Sequence, residues 1–192
     1  MKHSLHALLC AALLSLAACI PVEDFGANWD KGTADTALVG TWDDILPAGE
    51  KPKDSPGMAI TCAESTCTLE TLDPAEKMKK DYKPMTLRTL QAGDYKFVMV
   101  REEGKTTGDM VRYSIDKDVF RQSTPKPAKT AEFLKEKYPA AKNIHRPECK
   151  PDNCVFDSIK ITTLDDETVK ILSELPDTAE YWITEERYRK RP

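Results

Sequence analysis

Between residues 58 and 122 the chain alternates apolar and polar side chains over short runs, and each run stops at a brief polar turn. Residues 58–62 and 67–72, 85–90 and 95–101, and 110–115 and 119–122 pair naturally as hairpins. The second of these turns at Gln91-Ala92-Gly93-Asp94 and the third at Asp116-Lys117-Asp118. A period of two sends one face of each run to a core and the other to water, so the expected class is mainly β, an antiparallel sheet or a small barrel. Residues 38–45, 155–163 and 181–187 add further strands. Residues 168–175 suit a strand, but Val169, Leu172 and Leu175 also suit a helix begun at Asp165. Two prolines in "STPKPAK" break the pattern, and a short helix is expected over about 129–138, with Thr130 as N-cap, Phe133, Leu134 and Tyr138 on one face, and Pro139 as its stop.

Covalent reinforcement is visible in two cysteine pairs of equal spacing, "CAESTC" at 62–67 and "CKPDNC" at 149–154. Each polar gap reads as a hairpin loop that places its flanking residues opposite each other, so the expected bridges are Cys62 to Cys67 and Cys149 to Cys154. A four-thiolate zinc site is the rival reading, and no metal is expected, because C-x4-C sits at the edge of zinc-ligand spacing and an exported chain is oxidised. The phrase from Cys67 to Leu72 also matches that from Cys154 to Ile159 in character, which suggests two weakly similar halves, 38–122 and 145–192, joined by the proline-containing segment and the helix. That repeat favours strand over helix for 168–175.

Export itself is read from the first residues. Lys2 and the apolar stretch of residues 5–18, too short to span a bilayer, make residues 1–18 a secretory signal peptide. The phrase Leu16-Ala17-Ala18-Cys19 resembles the lipobox of bacterial lipoproteins. That resemblance implies that Cys19 is acylated and becomes the first residue of the mature chain, with several acyl chains holding it stably to a membrane. In that family an aspartate after the cysteine signals retention in the inner membrane; Ile20 stands there instead, which implies the outer membrane, with the protein facing the periplasm. Residues 19–37 read as the lipidated cysteine and a flexible tether, in which Phe25 and Trp29 rest on the membrane or cap the domain. Residues 38–192 form a single β-rich domain.

Of the 28 Lys and Arg residues the signal peptide removes only Lys2, so the mature chain is mildly acidic against 32 Asp and Glu. A nucleic-acid partner is not expected, since phosphate binding calls for a basic face. The basic ending "ERYRKRP" reads as a solvated tail or a contact with anionic lipid.

Val39-Gly40-Thr41-Trp42 resembles the G-x-W motif of the lipocalins, whose first strand lays its tryptophan across the closed end of a barrel. Gly93-Asp94-Tyr95 is similar to a second motif of that family, and Arg121 to the arginine that packs on the tryptophan. The resemblance implies Gly40, Trp42 and Arg121 as barrel-closing residues and a small apolar ligand inside. Without it, a glycine beside a core tryptophan simply permits close packing.

No catalytic residue is expected. His145, in "NIHRPEC", is the one histidine beyond residue 18, and no nucleophile motif, zinc-helix motif or phosphate loop occurs. The acidic groups Asp43-Asp44 and Asp165-Asp166-Glu167 read as turn chemistry. The expectation is thus a non-enzymatic lipoprotein without a cofactor that binds a small apolar ligand. The alternative is one that binds an envelope protein as inhibitor, immunity factor or scaffold, with "AEST" and "KPDN" as contact loops.

Overall fold

The computed structural model describes residues 19–45, 57–145 and 159–192. In chain order the strands are β1 (Ile20–Asp24), β2 (Gly40–Asp44), β3 (Met58–Ala63), β4 (Thr66–Thr71), β5 (Met85–Ala92), β6 (Tyr95–Glu102), β7 (Gly108–Asp116), β8 (Val119–Pro125), β9 (Ile144–His145), β10 (Lys160–Thr163) and β11 (Trp182–Lys190). The α-helices are α1 (Gly26–Lys31), α2 (Pro74–Lys77), α3 (Pro127–Lys137) and α4 (Asp166–Ser173). β2 to β8 pair successively, and β11 joins β8 back to β2, so eight antiparallel strands close a barrel.

Alternation explains the barrel wall. On β4 the inward residues Cys67, Leu69 and Thr71 are buried and their neighbours are not. β6 departs from this pattern. Its run Phe97-Val98-Met99-Val100 is buried on both faces, because Val98 and Val100 enter the barrel core while Phe97 and Met99 enter a second core outside it. That outer core is covered by α1, α3, α4 and a three-stranded flap in which β1 pairs with β7, β10 with β1, and β9 with β10. A strand buried on both sides loses the period of two and reads as a continuous apolar run.

Three expectations are corrected. Residues 19–37 are not a tether: Ile20 and Val22 alternate inward on β1, and Phe25, the N-cap of α1, packs at 5.3 Å between ring centroids on Trp29, one turn further on, in the outer core. Their polar neighbours hid four buried anchors. β1 also pairs in parallel with β10, outside the eight antiparallel strands of the barrel. Residues 168–175 lie mostly on helix α4: the Asp165 carboxylate accepts the Thr168 N–H at 2.8 Å as N-cap, and Ile171, Leu172 and Leu175 are buried on one side. The two halves are not repeats, because β11 closes the barrel begun at β2 and β10 extends it through β1.

α3 begins earlier than expected, with Pro127 in its first turn. Thr130 is therefore inside the helix, buried, its hydroxyl donating to the Lys126 carbonyl at 3.1 Å. Cys62 and Cys67 form a disulfide between directly opposed residues of β3 and β4, around a two-residue turn at Glu64 and Ser65. The expected bridge of Cys149 to Cys154, the strand start at 155–158 and residues 1–18 lie outside the described residues.

Candidate functional site

The barrel interior has three zones. At the end where β2 begins, Trp42 is fully buried, its indole N–H donates to the Leu38 carbonyl at 2.8 Å, and its ring meets Phe120 edge-on at 6.1 Å. The cation over that ring is Lys190, at 5.5 Å from the centroid. Arg121 lies elsewhere. It projects from the outer face of β8 and pairs with Glu186 at 2.7 Å and Asp116 at 3.0 Å, so the expected packing of Arg121 on Trp42 is not found. Gly40 permits the arrangement: its φ is +140°, and a Cβ there would stand 2.5 Å from Lys190 Cε. Sequence reading found Gly40 and Trp42 through their local phrase. It missed Lys190, whose contact exists only because β11 pairs with β2.

The middle zone is apolar. Leu38, Ile60, Leu87, Val100, Phe120 and Tyr188 are among the residues lining a cavity of about 30 Å³. That is roughly the volume of one water molecule in liquid.

The third zone, at the end where β2 stops, is polar. Asp44 lies opposite Tyr188, and Arg187 occupies a bulge in β11 beside it. Burial pushes the Asp44 carboxyl up to about 6, against the pull of Arg187 and with a push from Asp43. Burial likewise pushes the Tyr188 hydroxyl far upward, with the Asp44 charge adding to it. Gln122 on β8, 1% exposed, shares the inward parity of Phe120. Asp44 Oδ1, Arg187 Nε and both amide atoms of Gln122 are buried without a hydrogen-bond partner. Ile183 and Glu185, on the barrel-facing side of β11, are exposed, so solvent reaches this end. The phrase Phe120-Arg-Gln122 carried the signal, a glutamine on the inward side of an alternating strand.

On the barrel-facing side of β5 and β6 a polar cleft of about 260 Å³ is lined by Thr33, Asp35, Thr36, Thr89, Gln91 and Lys96, among others. Burial works against the Asp35 carboxylate, yet hydrogen bonds from Tyr113, the Ala37 N–H and Lys96 hold it below the usual carboxylate range.

The remaining singled-out residues disperse. Cys19 is 5% exposed and joins the barrel core at the head of β1. His145 is exposed on β9. Asp43 takes a bidentate contact from Arg191 at 2.6–2.9 Å, Asp165 caps α4, and Asp166 pairs with Lys31 at 2.5 Å. Among the described residues no three His, Cys, Asp or Glu side chains stand together to hold a metal. No helix among them is long and apolar enough to cross a membrane. No protein-family model, curated protein or solved structure matches the chain.

Proposed function

We propose that the chain is an exported, non-enzymatic lipoprotein, acylated at Cys19 and held at the outer membrane facing the periplasm, whose barrel is a rigid scaffold for binding an envelope protein. The observation that carries the choice of partner is the size of the apolar cavity in the barrel. Small-molecule sites enclose roughly 300–1,000 Å³, whereas the apolar space here is about 30 Å³. An acyl chain or other apolar metabolite would have to displace core side chains that are already close-packed.

The same observation constrains the anchor. Chains attached to Cys19 do not fit in that interior, so acylation requires the Cys19 side chain to turn outward at the head of β1. Because β1 starts at Ile20, the domain then lies directly on the membrane with no tether between.

Native extraction of the lipidated protein from its envelope, followed by mass spectrometry of what it retains, tests the reading. A stoichiometric protein partner and no bound small molecule is the expected result; a stoichiometric apolar molecule would return the case to ligand carriage. Cys19→Ser is expected to move the protein from the membrane to the soluble fraction. Retention of that variant on the membrane would remove the acyl anchor.

A further inference from the structure

The polar cleft on the barrel-facing side of β5 and β6 is separate from the apolar cavity, and it takes the protein beyond the scaffold reading without resting on it. Strand pairing builds its walls. Gln91 and Lys96 stand directly opposite each other across the β5–β6 hairpin, and Tyr113 on β7 lies opposite Lys96. The chain between α1 and β2 runs against them, pinned where Thr33 and Thr89 exchange backbone hydrogen bonds at 2.9 and 2.7 Å. That run brings Asp35 onto Tyr113, 4% exposed, whose hydroxyl donates to Asp35 Oδ2 at 2.8 Å, while Lys96 Nζ donates to the same oxygen at 3.0 Å. Asp35 and Lys96 are thereby fixed in the wall of a cavity of about 260 Å³, which meets solvent at the exposed Thr36, Gln91 and Lys96.

The hydrogen-bonding capacity left over selects the ligand. A carboxylate offers about four acceptor positions, and Asp35 spends three, on Tyr113, Lys96 and the Ala37 N–H. Lys96 spends one of its N–H donors on Asp35 and keeps the others. Gln91 spends one amide N–H on the Gly93 carbonyl at 2.6 Å and keeps its oxygen and second N–H. Both signs of charge are present and cancel. A lone anion on Lys96 would stand beside the Asp35 carboxylate, and a lone cation on Asp35 beside the Lys96 ammonium. An apolar group would exclude water from these positions without replacing its hydrogen bonds. A hydroxyl both donates and accepts, and two hydroxyls on neighbouring carbons stand about as far apart as Asp35 Oδ2 and Lys96 Nζ, 3.0 Å. One donates to the carboxylate while its neighbour accepts from the ammonium. At about 260 Å³ the space falls just below the roughly 300–1,000 Å³ of drug-sized pockets, so it holds one small ring.

We propose that this cleft is a binding site for a pyranose sugar, whose vicinal hydroxyls bridge Asp35 and Lys96 with the Gln91 carboxamide beside them. Two sources present that ring, a free monosaccharide and the end unit of a glycan chain. The described lining carries no aromatic ring for a sugar to stack on, so the expected Kd is about millimolar and the sugar leaves the protein during extraction. The test titrates ¹⁵N-labelled protein with glucose, galactose and mannose, which differ in single hydroxyls, and with maltose, lactose and mannobiose, which carry the same rings at a chain end. Acetate and methylammonium serve as charged counterparts, and the backbone amides of Thr33, Asp35, Thr36, Thr89 and Gln91 are followed.

At least one sugar is expected to shift those resonances saturably while the charged probes do not. A disaccharide that binds at least as tightly as its end ring alone assigns the glycan; one that binds more weakly assigns the free sugar. Lys96→Met is expected to weaken the sugar by at least about tenfold, and Gln91→Ala by about two- to tenfold. Absence of a saturable shift with every sugar, an equal shift with acetate or methylammonium, or undiminished binding to either variant overturns the proposal. Should Lys96→Met not fold, Gln91→Ala, which leaves every hydrogen bond of Asp35 in place, decides.

Discussion

In Gly40→Ala a methyl group is built where the stem of Lys190 crosses β2, and the cost separates into two parts. The first is conformational. At φ +140° an alanine occupies backbone space open in practice to glycine, which costs of the order of 1–3 kcal/mol. The second is the contact: the new Cβ would stand 2.5 Å from Lys190 Cε and 3.4 Å from its Nζ, so the ammonium must leave the Trp42 face. A partly exposed cation–π contact is worth about 0.5–1 kcal/mol. Because the clash is with the far end of a flexible side chain, no larger steric penalty is added. The total expected loss is about 1.5–4 kcal/mol, read from urea denaturation followed by far-ultraviolet circular dichroism. Lys190→Ala removes the second part only. In a double-mutant cycle Gly40→Ala should therefore cost about 0.5–1 kcal/mol less on the Lys190→Ala background than on the wild type. A Gly40→Ala variant within about 0.5 kcal/mol of wild type would refute the backbone argument, and a cycle with no coupling would refute the Lys190 contact with the Trp42 ring.

The Asp44 carboxyl, raised to about 6 from an ordinary 3.8, gives the fold a pH window of its own. A raised folded pKa means that the native state holds a proton the unfolded chain has released. Stability from this group is thus complete below about 3.8 and lost as pH rises to about 6. After discounting for partial exposure the loss is about 1–2 kcal/mol. Asp44→Asn should flatten that window and raise the urea midpoint at neutral pH; parallel pH profiles for variant and wild type would contradict it. Asp35 and Asp165, both held below the usual range, act in the opposite sense and destabilise the protein only as pH falls through the carboxylate range below that window. Asp165→Ala, which removes the N-cap of α4, should cost about 1 kcal/mol, with hydrogen exchange at the Thr168 amide rising more than at β6; uniform protection across α4 would show that the cap is dispensable.

Much of the barrel was legible because strands such as β3 and β4 bury one face and carry a visible period of two, although β6 is buried on both faces. β1 and α1 were not legible, since their buried residues, Ile20, Val22, Phe25 and Trp29, stand among charged and small neighbours in a stretch with the composition of a linker. α4 remained ambiguous for a different reason: the apolar residues of 168–175 fit either period, and the decision rests on the Asp165 cap and on the packing of Ile171 and Leu172 in the outer core. In the candidate site, Gly40 and Trp42 are two residues apart and could be found together. Lys190 and Arg187 approach β2 only through strand pairing across more than a hundred residues, and no local pattern records such a pairing.

From its order of residues alone the chain determines the period and turns of its hairpins, the Cys62 to Cys67 pairing and the glycine before Trp42, because these depend on neighbours within a few positions. Only the tertiary structure decides that β11 joins β8 to β2, that the apolar cavity lined by Leu38, Ile60 and Phe120 is about 30 Å³, and that Asp44, Gln122 and Arg187 carry buried unpaired atoms. Closure, volume and burial are set by the simultaneous packing of strands distant in sequence, and close packing makes each of them a property of the whole set of side chains.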